Sequence, residues 1–243
     1  MEEENRNEKP VSNKKAIISI IVVIALLAIL GIVYATMLKP KEDTCDSIRN
    51  INKRANNINE MVKKPIIYIY PTEKIKVNIK VGKPENLTHT YPKYEDGWKV
   101  IAKPNGDLKD CKTGRNLYAL YWEGINTVEP NMEEGFVVKG EDTIEFLEEK
   151  LEILGLNERE ANEFIIYWLP KLENNKYNFI RFQTEEEINN NMPLEITPKP
   201  DTVIRVVMEF KELEKSIEIE EQQLETPERI GYTVVEWGGT EIE

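Results

Sequence analysis

Two glutamates stand beside tryptophan and close to glycine: Glu123 in "YWEG" and Glu236 in "VEWGG". Each closes a segment rich in β-branched and aromatic residues, and strand ends are where side chains can converge on a cleft. Two carboxylates flanked by aromatic rings are the equipment of glycoside hydrolysis, one protonated as acid and the other acting as base or nucleophile. Glu123 and Glu236 are therefore the candidate catalytic pair, although nothing in the spacing brings them together. The same part of the chain carries Tyr68, Tyr70, Tyr91, Trp98, Tyr118, Tyr121, Trp122 and Trp237. Four of these, Trp122, Trp237, Tyr121 and Trp98, are candidate ligand-binding residues, because rings combine contact area with a polar handle. Packing in the core is the simpler account of the same rings.

Other chemistry is sparsely provided for. There is no glycine-rich phosphate loop, no H-E-x-x-H, no C-x-x-C and no G-x-S-x-G, and His89 is the single histidine. Mechanisms or zinc sites that need two histidines are excluded, and neither a cofactor nor a metal is expected. His89, in "LTHTYP", reads as a strand or surface histidine. Arg205, within "VIRVVMEF", reads as a solvated charge rather than an ion-pair partner of one of the glutamates. Formal charge is −12, and the four acids and four bases of residues 1–15 cancel, so the excess belongs to the later chain. Such a balance disfavours nucleic acid and anionic lipid, both of which attract basic patches. Cys45 and Cys111 would be free to pair in an oxidising compartment, though two cysteines are no framework. "NLT" at Asn86 fits a glycosylation acceptor.

Residues 16–38, "AIISIIVVIALLAILGIVYATML", are uncharged and, at about 1.5 Å per helical residue, long enough to cross a bilayer core. The run exceeds the apolar region of a cleaved signal, roughly 7–15 residues, and Ala35-Thr36-Met37 is a poor cleavage site, so it reads as an uncleaved anchor. Basic residues are nearly balanced across it: Arg6, Lys9, Lys14 and Lys15 before, Lys39, Lys41, Arg49 and Lys53 after. Large domains translocate largely regardless of charge. The expectation is a short cytoplasmic head at 1–15, a single transmembrane helix at 16–38, a juxtamembrane stalk at 39–63 and an extracellular domain at 64–243.

The elements of that domain follow from periodicity and punctuation. "IIYIY" has high strand propensity and is bracketed by Pro65 and Pro71, and "KIKVNIKV" alternates apolar Ile75, Val77, Ile79 and Val81 with polar residues. The two are expected to pair as the opening of an antiparallel sheet. "GWKVIA" and the segment after "PNGD" form a hairpin across Asn105-Gly106, and "NLYALYWEG" and "GFVVKG" supply further strands. "DTIEFLEEKLEILG" reads as a helix with Asp142 as cap, burying Ile144, Leu147, Leu151 and Leu154 and stopping at Gly155. "NEREANEFIIYWLP" reads as a second, capped by Asn157 and Glu160, burying Ala161, Phe164, Ile165 and Trp168 and ended by Pro170. "KYNFIRFQ", "TVIRVVMEFK" and "YTVVEWGG" return to strands, with an acidic connection from 212 to 228 as loop or edge strand. The fold class is α+β, a mostly antiparallel sheet with an inserted helical hairpin, preceded by one transmembrane helix.

Several blocks, "KPIIYIYP", "YPKYEDGWKVIAKPNGDL", "LYWEG", "TPKPDTVIRV" and "GYTVVEWGG", resemble a family of membrane-anchored or secreted bacterial proteins with fungal relatives. That family opens on KP-x-IYLYP and contains YLYWEG and TVVEWGG blocks. The resemblance spans residues 64–240 and implies a single domain placed after a signal or anchor. It implies no reaction, cofactor or partner. "YIYP" replaces the family's "YLYP", a change that leaves the strand intact.

The function expected is that of an anchored module binding something at the cell surface or envelope, a glycan or a surface protein, without nucleic acid. A glycan hydrolase using Glu123 and Glu236 is the alternative from a different class, and a structural spacer domain is a third.

Overall fold

Strand β1 (Met61–Tyr70) begins inside the expected stalk and runs through Pro65. Its register shifts between Lys63 and Ile66 against one neighbour and between Val62 and Ile66 against the other, and Lys64 takes a φ of 54°. Proline has no N–H for a ladder, and a bulge is where a strand can carry one. Pro65 therefore interrupts pairing without ending the strand, whereas Pro71 lies just past its end. The computed structural model describes residues 61–242. The expected head and membrane span, most of the stalk, and Cys45 fall outside the described residues. Among those described, no helix is long and apolar enough to cross a membrane.

After β1 come β2 (Ile75–Val81), β3 (Leu87–Tyr91), β4 (Trp98–Ala102), β5 (Leu108–Asp110), β6 (Asn116–Leu117), β7 (Leu120–Ile125) and β8 (Glu134–Lys139). Helices α1 (Thr143–Ile153) and α2 (Glu158–Leu172) follow, then β9 (Tyr177–Phe182), α3 (Glu185–Asn191), β10 (Leu194–Thr197), β11 (Thr202–Leu213), β12 (Glu220–Glu221) and β13 (Thr233–Glu241). Eight strands form one sheet in the order β12-β8-β9-β11-β13-β1-β7-β3, and five form a second in the order β10-β2-β4-β5-β6. Neighbours are antiparallel except β11 with β13 and β12 with β8.

The alternation of β2 is as expected, with Val77, Ile79 and Val81 buried and Lys76 and Lys80 exposed. Its pairing is not: β2 joins β4 and β10 in the smaller sheet and never meets β1. "NLYALYWEG" likewise divides, β6 going to the smaller sheet and β7 to the larger. The Asn105-Gly106 hairpin forms between β4 and β5, with Gly106 at φ 85°. Both changes have one cause, a chain that passes between two stacked sheets where an alternating pattern fixes only which face is buried.

Alternate residues of the larger sheet look in opposite directions. Ile66, Tyr68, Val206, Met208, Val235 and Trp237 face α1 and α2, where Leu147, Leu151, Phe164, Trp168 and Leu172 complete a core. Ile67, Ile69, Leu120, Trp122 and Val234 face the smaller sheet and pack on Val77, Ile79, Trp98 and Val100. The larger sheet is thus the middle of three layers, which is why β1 from Pro65 to Ile69 and β13 from Thr233 to Thr240 are buried on both faces. Each large side chain fully buried here contributes roughly 1.5–3 kcal/mol of transfer free energy.

Capping at α2 follows the sequence: Asn157 Oδ1 accepts from Glu160 N at 3.0 Å, and Glu160 Oε2 accepts from Asn157 N at 2.9 Å. Pro170 does not end this helix, which continues to Leu172. The carbonyl its ring leaves without a donor is that of Ile166, on the exposed face, where water can serve. At α1, Asp142 is the N-cap but makes no side-chain capping bond, and Ile144 is 47 % exposed rather than part of the buried stripe. Helix α3 was not anticipated, yet Thr184 and Glu187 form a capping box at its start.

Candidate functional site

Glu236 lies opposite Ile67 on β1 and Arg205 on β11, on the face that meets the smaller sheet. It accepts from Trp122 Nε1 at 2.7 Å and from Arg205 Nε at 2.7 Å, and its side chain is 1 % exposed. Glu123 follows Trp122 by one residue on β7 and so projects from the opposite face, beside Tyr121, which packs against the helical layer. Its cross-strand neighbour is His89, whose Nδ1 is 3.5 Å from the carboxylate and whose side chain is 67 % exposed. The sheet itself separates the two glutamates, and no single substrate could lie between them. Arg205, expected to be solvated, is instead Glu236's buried ion-pair partner: the register of β11 against β13 sets the two side by side.

The tryptophans that were candidates for stacking on a ligand are core residues, the simpler of the two accounts. Trp98, Trp122 and Trp237 are at most 3 % exposed. Trp98 donates to Pro92 O at 2.8 Å, and Trp237 donates to Tyr68 Oη at 3.1 Å. Tyr68 in turn donates to Glu163 Oε2 at 2.8 Å. Tyr121 is half-buried against the helical layer. Burial, with Glu163 beside Tyr68 and Glu123 beside Tyr121, pushes both phenols far above their ordinary value. Tyr68 is thereby kept as a hydrogen-bond donor, and neither phenol is suited to act as a base. Glycine in "YWEG" and "VEWGG" also has a packing role: a Cβ on Gly124 would lie 3.0 Å from Asn86 O, and one on Gly239 would lie 2.7 Å from Trp168 Cζ2.

A row of buried charge runs beneath α3. Arg181 donates through Nη2 to both oxygens of Glu187, at 3.0 and 2.9 Å, and through Nη1 to Glu209 at 3.2 Å. Gln183 Nε2 donates to the other oxygen of Glu209 at 2.8 Å. Arg205 reaches Asn189 Oδ1 and Met192 O, each at 2.9 Å. Two arginines from the sheet therefore hold α3 and the residue after it. Burial pushes the Glu209 carboxyl up despite Gln183 and Arg181. Burial also works against the Glu187 carboxylate, but the Thr184 N–H and the Arg181 guanidinium outweigh it and hold the group below its ordinary value. Every charge in this row is engaged, so it fastens the helix rather than serving a substrate. Among the described residues no group of three His, Cys, Asp or Glu side chains is placed to hold a metal ion.

Beside that row opens a cleft of about 520 Å³. Its floor is the start of β11, from Val203 to Val206; Leu154, Leu224 and Pro227 line one side and Leu194 and Ile196 the other. β9 pairs with β11 only from Met208 onward, and Gln183 N closes on Val207 O at 2.9 Å. Ahead of that point β11 has, among the described residues, β13 as its one strand neighbour. Main-chain direction alternates along a strand. The Val207 carbonyl points toward β9, and the Phe210 carbonyl points the other way, to Ile242 N at 2.9 Å. Val203 and Arg205, in phase with Val207, therefore turn their N–H and C=O groups into the cleft. Val203 is 45 % exposed. A groove between α1 and α2, at Leu156, Ala161 and Ile165, is also apolar with an acidic rim, but helices satisfy their own main chain and offer a ligand none of it.

Sequence reasoning missed this cleft, because an open strand edge is a property of the neighbour's length. The traces it left are a valine on the wet face of β11 and two apolar residues, Leu194 and Ile196, between Pro193 and Pro198. Compared with protein-family models, curated proteins and solved structures, the chain matches none.

Proposed function

We propose that this chain is a single-pass membrane-anchored protein whose outer domain is a binding module at the cell surface or envelope, with the β11 cleft as its ligand site. The observation that carries the reading is the cleft's composition, apolar walls around a strand edge whose main-chain groups face outward into it. Such a site offers contact area and directional hydrogen bonds together, the usual pairing in a recognition groove. The uncharged run at 16–38 and the resemblance to an anchored or secreted family support the placement outside. Hydrolysis by Glu123 and Glu236 has no comparable support, since the carboxylates look in opposite directions and Glu236 is already bound by Arg205 and Trp122.

The test is affinity capture from the envelope fraction with the full chain and its Val203→Glu variant side by side. A component held by the parent and lost by the variant supports the module. Equal retention by both moves the ligand elsewhere, and no retention by either favours a spacer. Protease shaving of intact cells tests orientation, with digestion of the region after residue 38 as the expected result.

A further inference from the structure

We propose that the β11 cleft binds an extended peptide segment of another protein, which adds to the larger sheet as one more strand and carries consecutive apolar residues between basic flanks. This rests on the binding reading above and names its ligand. Val203 and Arg205 present donor and acceptor groups at every second residue, the repeat of a strand. A peptide main chain matches that repeat group for group, as in strand addition at an open sheet edge. Elsewhere in a fold main-chain groups away from bulk water are almost always paired, and here β9 supplies the pairing only from Met208 onward.

The side chains of an added strand would alternate between the two sides of the sheet, and both sides are apolar at this point. Ile204, Val206 and Leu224 belong to the helical side; Leu194 and Ile196 pack with the smaller sheet. A segment apolar at consecutive positions fits, as in strands buried on both faces. The charged residues at the opening select what flanks it. Glu185 and Glu225 line the cleft and are exposed. Neither takes part in the ion pairs formed among the described residues. The one cation among the described residues lining it, Arg205, is neutralised by Glu236. Lysine or arginine beside the apolar segment is therefore attracted, and acidic flanks are repelled.

The experiment uses the full chain in detergent and a pool of octapeptides, Lys-Lys-x-x-x-x-Lys-Lys, with x drawn from Val, Ile, Leu and Phe. Binding is read by fluorescence anisotropy and by amide hydrogen exchange. Expected are binding with slowed exchange at Val203 and Arg205, and about tenfold weaker binding when alternate central residues of the peptide are N-methylated, the effect of losing about 1.4 kcal/mol. Val203→Pro should weaken binding similarly, because it removes a cleft-facing N–H and no internal ladder bond, while Val203→Thr retains it. Glu185→Lys with Glu225→Lys, both on exposed positions, should also weaken it. Equal affinity of the N-methylated peptides, protection at the β10 amides instead, or no binding by any member of the pool overturns strand addition at β11. In those cases an envelope component whose capture still depends on Val203 would leave the binding module standing with a different ligand.

Discussion

Removing the carboxylate of Glu236 leaves Arg205, whose side chain is 5 % exposed, without its anion and the Trp122 N–H without its acceptor. Breaking a buried pair from one side costs about 3–5 kcal/mol, while replacing both partners by apolar residues costs far less. Glu236→Leu should therefore destabilise the chain by that amount in urea denaturation, and Arg205→Met combined with Glu236→Leu should recover most of it. A double variant equal to the sum of the singles would mean the two act independently. Glu187 gives a pH signature. Its carboxyl is held below its ordinary value of 4.5 in the folded state, so its contribution is complete above about that pH and lost as pH falls through the folded value. Arg181, Glu209, Glu134 and Thr184 all bear on it. Glu187→Gln should be less stable than the parent at neutral pH, with the gap closing in acid. A gap that persists well below pH 4.5 would assign the loss to packing instead.

Among the elements, β13 carries a position that admits no side chain. Gly239 sits where a Cβ would meet Trp168 Cζ2 at 2.7 Å and Met208 O at 2.8 Å. One of those neighbours is backbone and cannot yield. Gly239→Ala should cost about 1–3 kcal/mol by overpacking, measured as a lowered denaturation midpoint with an unchanged slope. The helices were legible from their caps and period, and α2 keeps the full Asn157–Glu160 device. Helix α3 was equally marked by Thr184 and Glu187, but "EEEINNN" lacks an apolar stripe, and what holds it is two arginines from the sheet. Pairing of β1 with β2 failed as an expectation because alternation sets a strand's buried face and says nothing about its neighbour.

Across residues 61–242, three layers place β1, β11 and β13 in the middle of a sheet buried on both sides, with β3 and β12 at its edges. Amides of β1 and β13 should exchange last and near the global unfolding limit, and those of β3, β12 and β10 first. Fast exchange in β13 alongside slow exchange in β3 would contradict this order. Segments far apart in the sequence meet one another in this centre. Tyr68 of β1 is bonded to Trp237 of β13, and Trp122 of "LYWEG" to Glu236 of "VEWGG".

The amino-acid sequence by itself determined the α+β class, the order of most strands, the helical hairpin and the buried face of β2, because local propensity, caps and periodicity act within a few residues. It also singled out Glu236 and the tryptophans as unusual. Only the tertiary structure decided that these residues are core, because the face a side chain occupies depends on register across strands far apart in the chain. The same long-range pairing decided where β9 stops along β11, and so where a strand edge is left open beside an acidic rim.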